Sequence, residues 1–185
     1  FTLIGGGFSL WAAYKLRNAG EREHRLSLLA VGLILAISEL YKQLFHTFYL
    51  NDGAYKWSIL PFQLCSVPMY LCLILAVLPR GRWSETMETF LGSYNMLGGL
   101  MSFVVPSGLC HEYWTLTLHA FVWHMLLVFL GLYLTVSGRG HYDKKSMRRA
   151  TVLFVLLCWV AIGINVSLGK VSHGAVNMFY LGPPL

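Results

Sequence analysis

The stretch LSLLAVGLILAISELYKQLFHTFYL, Leu26 to Leu50, decides the fold. At a rise of about 1.5 Å per residue it is long enough to cross a hydrocarbon core of about 30 Å. Four polar residues interrupt it, Glu39, Lys42, Gln43 and His46. Their i, i+3, i+4, i+7 spacing puts them on one stripe of one helix face. A charge at bilayer depth costs about 2.5–3.5 kcal/mol on insertion scales, so such a stripe is expected to face a bundle interior and mark a site.

The rest of the chain repeats the apolar pattern. Of 185 residues, 56% are hydrophobic and 12% charged, against about 25% charged in a soluble domain; the mean hydropathy is +0.58. Spans are expected at 1–14, 26–50, 57–78, 88–105, 113–136 and 150–168. The reading is therefore all-α, a polytopic transmembrane helix bundle with six spans in one domain over residues 1–185. The first span opens mid-hydrophobic at Phe1 and is expected to be trimmed, and a seventh helix is expected to follow in a longer parent chain. Leu3 to Tyr14 runs into Lys15 and Arg17, not into a small-residue cleavage site, which argues against a signal peptide. Tyr55, Trp57, Trp83, Tyr113 and Trp114 fall at span ends, as interfacial aromatics do.

The net charge of +6 points to topology and not to nucleic acid. Lys and Arg number four, two and five in loops 15–25, 79–87 and 137–149, and one, none and one in loops 51–56 and 106–112 and the tail 169–185. That alternation places the N-terminus outside and the basic loops in the cytoplasm, where they also suit anionic headgroups. Cys65, Cys72, Cys110 and Cys158 show no CxxC or metal-type spacing, so neither a disulfide framework nor a cysteine metal site is expected. No G-x-G-x-x-G, P-loop or H-x₄-D occurs, and no cofactor is expected.

Helix rise sets the depth of each polar residue. From the outer end, His46 lies at roughly 6 Å, Lys42 at 12 Å and Glu39 at 16 Å. Gln63 and Cys65 come at roughly 9 and 12 Å, His119 and His124 at 9 and 16 Å, Asn95 at 15 Å and Asn165 at 5 Å. All fall in the outer half, whose economical explanation is one shared polar cavity, while the inner halves look nearly free of ionisable groups. Plainer roles exist for each: Glu39 and Lys42 as a structural ion pair, Asn95 as interhelical glue, each histidine as a packed hydrogen-bonding residue. His119 and His124 are five apart, so both cannot point at one centre.

The third span reads WSILPFQLCSVP over 57–68. Pro61 suits the first position of a helix and Pro68 would kink it later, leaving the Leu64 carbonyl without its donor. Cys65 would then sit just past the first turn, near unsatisfied amides and the positive end of the dipole. A thiol there with a histidine at matching depth meets the minimum for an activated nucleophile.

The run Leu60-Pro61-Phe62-Gln63-Leu64-Cys65-Ser66 resembles the LP-hydrophobic-(His/Gln)-LCS hallmark of YwaF-like bacterial membrane proteins, relatives of the transmembrane-protein-164 acyltransferases. Glu39 and Lys42, the HAFVWH segment His119 to His124, and the tail Asn177-Met178-Phe179-Tyr180-Leu181 before Pro183 match in order along nearly the whole chain. The sequence departs from the family where Gln63 stands in place of a frequent His, and where the chain ends one helix early. The resemblance implies a multi-pass lipid enzyme of the bacterial cell membrane. Its relatives move acyl chains onto ether lysophospholipids through a Cys, or hydrolyse lipid esters with Thr and His.

The combined expectation is an acyltransferase or acyl-ester hydrolase acting on phospholipid or lysophospholipid from the outer leaflet. Cys65 is the nucleophile, His119 its base with His124 or His46 as alternates, and Glu39 orients a histidine or balances Lys42. Lys42, His46, Gln63, Asn95 and Asn177 contact substrate, and Met69, Met96, Met101 and Met125 flank an apolar tunnel. A transporter or channel component with a Glu39–Lys42–His46–His119 relay is the rival from another class. A zinc hydrolase using His46, His119 and His124 with Glu39 as base is the third, disfavoured by the five-residue gap. A purely structural membrane subunit is the fourth.

Overall fold

The computed structural model describes residues 2–182, with side chains from Leu3 onward. Phe1, Pro183, Pro184 and Leu185, which include the last residue of the family-like tail, lie outside the described residues. Seven α-helices follow in order: α1 (Thr2–Leu16), α2 (Glu21–Leu44), α3 (Val67–Val77), α4 (Arg82–Phe90), α5 (Met96–Val104), α6 (Trp114–Val136) and α7 (Lys144–Gly169). No strand occurs among the described residues. The fold is an all-helical membrane bundle. Three helices, Glu21–Leu50, Trp114–Val136 and Lys144–Gly169, are long and apolar enough to cross a membrane.

Two helices run on through wide turns. α2 continues as a π-helical segment, Phe45–Leu50, and α4 joins α5 through another, Leu91–Asn95. The expected fourth span at 88–105 therefore begins six residues earlier, at Arg82. Hydropathy misses this because Arg82 to Thr89 is polar, yet the helix satisfies those groups internally. Thr86, Thr89 and Ser93 hydroxyls each donate to the carbonyl four residues back, at 2.6–2.7 Å. The Gly81 amide donates to Ser84 Oγ at 2.9 Å and starts the helix. α7 likewise begins early, at Lys144, because Asp143 caps it by accepting from the Lys145 and Ser146 amides. Those Ser146 hydrogen bonds hold the Asp143 carboxyl below its ordinary value.

The third span is where the sequence reading fails. Helix α3 starts at Val67, not at Pro61; residues 57–66 form two short 3₁₀ turns joined by extended backbone at Leu60 and Gln63. Pro68 lies in the first turn of α3, where its missing N–H costs nothing, so it starts the helix instead of kinking it. The Leu64 carbonyl expected to be free accepts from the Val67 amide. Cys65 consequently precedes the helix.

α6 is the central helix, packed on α1, α2, the π turn at Leu91–Asn95 and α5, while α2 pairs with α3 and α4 with α7. Leu35, Cys72, Phe90, Leu91, Leu127, Tyr133 and Leu134 form the dry centre. Without a hydrophobic drive between helices in lipid, close approach depends on small residues. A Cβ on Gly131 would overlap the Met96 side chain, and one on Gly32 would come within 2.9 Å of Leu73. Leu33, Ile34, Ile37, Val152, Leu156 and Trp159 are exposed and form part of the lipid-facing surface.

The inner end contains a cluster that the sequence reading placed nowhere. His24 is 2% exposed; its Nδ1 hydrogen-bonds the Tyr133 hydroxyl at 2.9 Å and its Nε2 meets Glu88 Oε1 at 2.9 Å. Arg139 nearby donates to Glu21 Oε2 at 2.9 Å and to the Ala19 carbonyl at 3.1 Å. The inner half is thus not free of ionisable groups. His24 and Glu88 sit just at hydropathy boundaries and become interior because each satisfies the other.

Candidate functional site

A cavity of about 510 Å³ opens between the segment before α3, the α4–α5 helix, α6, α7 and the tail. Cys65, Gln63, Asn95 and His124 supply polar groups, and Leu64, Leu127, Phe154 and Phe179 supply apolar wall. Cys65 and Asn95 come from segments about thirty residues apart, and both reach α6. The 3₁₀ turn Leu64–Ser66 puts Cys65 immediately before α3, beside the positive end of that helix dipole, where negative charge is stabilised. From the opposite side Trp123 Nε1 donates to the Cys65 carbonyl at 2.9 Å.

His124 is fixed with a usable nitrogen. Its Nδ1 lies 2.8 Å from the Ala120 carbonyl, an acceptor only, so Nδ1 carries the hydrogen. The neutral ring therefore keeps the lone pair on Nε2. His119, the base favoured by the sequence, is engaged elsewhere: its Nδ1 and Ser38 Oγ share a hydrogen bond of 2.6 Å, and its ring lies 5.4 Å from that of Trp123. It is not among the residues lining the cavity. The five-residue spacing separates the two histidines as helix geometry requires.

Asn95 is 2% exposed and donates from Nδ2 to the carbonyls of Leu91 and Leu127, both at 3.1 Å. Both hydrogens are used, and Oδ1 has no partner. It binds α6 to the α4–α5 helix, as interhelical glue does, and what it leaves open is an acceptor and not a donor. Gln63 is also committed. It donates to the Asn177 carbonyl and accepts from the Phe179 amide, both at 3.0 Å. Asn177 turns its own Oδ1 onto the Gly182 amide at 2.8 Å. These two residues build the cavity wall by pinning the tail.

The tail is held from a second side by Asn165, which is buried and pairs with both backbone groups of Met178, at 3.0 and 2.6 Å. Phe179 and Tyr180 adopt φ of 56°, a left-handed conformation that costs on the order of 1–3 kcal/mol for a non-glycine residue. The surrounding bonds and the stacked pair of Phe62 and Phe179, with ring centroids 5.8 Å apart, hold it there. Asn165→Ala leaves a buried amide and carbonyl unpaired, at about 1–3 kcal/mol each. It is expected to release residues 175–182, read as loss of amide-exchange protection there with α6 unchanged; retained protection would show that the tail is held by other contacts.

The stripe on α2 forms a second polar group beside the cavity. Glu39 Oε1 meets Lys42 Nζ at 2.9 Å and accepts from Gln43 Nε2 at 2.6 Å, and Gln43 also donates to the Ile59 carbonyl at 2.7 Å. Glu39 Oε2, Gln43 Oε1 and His46 Nδ1 are buried with no partner. In the loop before α6, desolvation, reinforced by Lys56 and Lys42, pushes His111 below its ordinary value. The cavity that Cys65 lines includes none of Glu39, Lys42, Gln43 and His46 among its lining residues, so the stripe and Cys65 do not share it.

Among the described residues no group of three or more His, Cys, Asp or Glu side chains stands close enough to hold a metal. His46, His119 and His124 do not converge. The methionines expected along an apolar tunnel lie elsewhere: Met69 is in the core, Met96 packs on Gly131, Met101 is exposed, and Met125 lines a groove between α1 and α6. Signals for Asn165 and His24 existed only as polar residues near span ends, indistinguishable there from interfacial ones.

The model of the TMEM164 family matches this chain over residues 1–185. No curated protein and no solved structure matches it.

Proposed function

Because the chain belongs to the TMEM164 family, we propose that it is an integral-membrane enzyme of lipid acyl chemistry, with Cys65 as nucleophile and His124 as general base. The observation that carries this reading is that one apolar-walled cavity holds the Cys65 thiol together with a histidine whose tautomer is set by the Ala120 carbonyl. His124 Nε2 takes the thiol proton as sulfur attacks an ester carbonyl carbon, and returns it to the departing alkoxide, leaving a thioester on Cys65. An acceptor hydroxyl then gives its proton to Nε2 and attacks the thioester, and sulfur leaves and regains the proton. A lysophospholipid as acceptor completes transfer; water completes hydrolysis. Lys42, released from Glu39, would supply the charge that stabilises the oxyanion or a phosphate. Substrate enters from the outer leaflet, and the Leu60–Ser66 run suits a bacterial YwaF-like member in the cell membrane.

Intact mass spectrometry of the purified protein after incubation with mixed phospholipids tests the reading. A hydroxylamine-sensitive fatty-acyl adduct mapping to Cys65 and absent from Cys65→Ala is the expected result. No adduct, with equal lipid turnover in both proteins, would sink it. The unpartnered atoms of Glu39, Gln43 and His46 favour a second reading, a polar relay for ions. It differs in leaving Cys65→Ala silent while Glu39→Gln abolishes flux.

A further inference from the structure

At the end of the bundle carrying the basic loops, a cavity of about 290 Å³ lies between α4 and α7. Arg82, Arg148 and Arg149 converge on it, Trp83 flanks it, and Val152 and Leu156 extend from it along α7 as exposed apolar surface. Arg82 and Arg148 have no acidic partner among the described residues. Arg149 donates to Glu85 at 3.3 Å and to Ser146 at 3.0 Å, and its Nε is buried without a partner. Three guanidinium groups thus face one carboxylate.

The charge is also placed against the local field. Lys144, Lys145, Arg148 and Arg149 occupy the first two turns of α7, with no acidic residue in the first turn. The helix dipole opposes cations there. A topological signal accounts for basic residues in this loop, since any position near the span end would serve. It does not account for three arginines from two helices around one cavity whose floor continues into membrane-facing apolar surface.

We propose that this cavity binds the headgroup phosphate of an anionic phospholipid, with one acyl chain lying along Val152 and Leu156, at a site separate from that of Cys65. A guanidinium offers paired donors that match phosphate oxygens, and Arg149 Nε gains its missing acceptor. The carboxylate at the α7 terminus is that of Asp143, and its Oδ1 is taken up by the Lys145 and Ser146 amides, so a phosphate answers cations that Asp143 does not pair. Trp83, 70% exposed, sits at the headgroup level as interfacial aromatics do. A soluble anion or acidic peptide would use the arginines but not the apolar strip running down α7.

Native mass spectrometry of the full chain released from nanodiscs of mixed phosphatidylglycerol and phosphatidylcholine is the test. The wild type is expected to retain phosphatidylglycerol selectively. Arg82→Gln with Arg148→Gln, both exposed positions, is expected to weaken that retention roughly thirtyfold, from about a factor of five or more per basic residue near an anionic surface. Lys144→Gln with Lys145→Gln removes equal charge from the same helix outside the cavity and is expected to retain the lipid. Equal retention of the two lipids by wild type, or equal loss in both double variants, would overturn the proposal in favour of diffuse surface charge. Thermal unfolding in phosphatidylcholine alone, unchanged in both variants, confirms that folding is not the cause of any loss.

Discussion

His124→Ala is expected to slow acyl transfer by about 10²–10⁴-fold, the usual contribution of a positioned general base. The loss should fall on kcat with KM nearly unchanged, since the imidazole acts on the thiol proton and little on lipid binding. His119→Ala should cost much less. Its Nδ1 is engaged with Ser38 and its ring supports Trp123, so its removal loosens the wall and takes away no base. Steady-state turnover of a lysophospholipid acceptor in nanodiscs by the two variants separates them. A larger loss for His119→Ala would put the base on the α2 side and require Trp123 to move aside.

His24→Ala is expected to destabilise the fold by about 2–5 kcal/mol, since it leaves two buried hydrogen-bonding groups, on Glu88 and Tyr133, unpaired. The reason is Glu88, 6% exposed and 2.9 Å from His24 Nε2. Without the imidazole, Glu88 Oε1 and the Tyr133 hydroxyl each lose the partner that His24 supplied. Glu88→Ala should cost a similar amount, and the double variant less than the sum, because the second change removes the stranded partner. Tyr133→Phe should cost only about 1 kcal/mol, one net hydrogen bond. Reversible unfolding in mixed micelles measures all four. An effect of His24→Ala within experimental reach of zero would mean that water reaches the inner end and solvates Glu88.

Six spans were expected, and three helices among the described residues are long and apolar enough to cross a membrane. The helical class itself was legible because burial in lipid forces long apolar runs, and composition alone carries that signal. The ends of the segments were not. Arg82 to Thr89 reads as loop on hydropathy and is helix in fact, since Thr86 and Thr89 feed their hydroxyls back to the backbone and Glu88 finds His24, sixty-four residues away. No local window contains that partner. The sequence reading takes Pro61 as the helix start and Pro68 as a later kink. The choice falls to Pro68 because Gln63 must be extended to clamp the tail, more than a hundred residues on. Cys65 and His124 were both visible as candidates, and their spacing showed that His119 and His124 could not share a target. Which of them lines the cavity with Cys65 depends on packing, with Ser38 claiming His119 and the Ala120 carbonyl orienting His124.

The bond from the Trp123 indole to the Cys65 carbonyl has a mechanical meaning. Trp123 belongs to α6, so the turn bearing Cys65 is referenced to the central helix as well as to α3, which it precedes. Helix tilt is the cheapest response to a bilayer that thins or thickens. A turn carried by α3 alone would swing with that helix. Moored to α6, it keeps its place at the middle of the bundle while the outer helices lean.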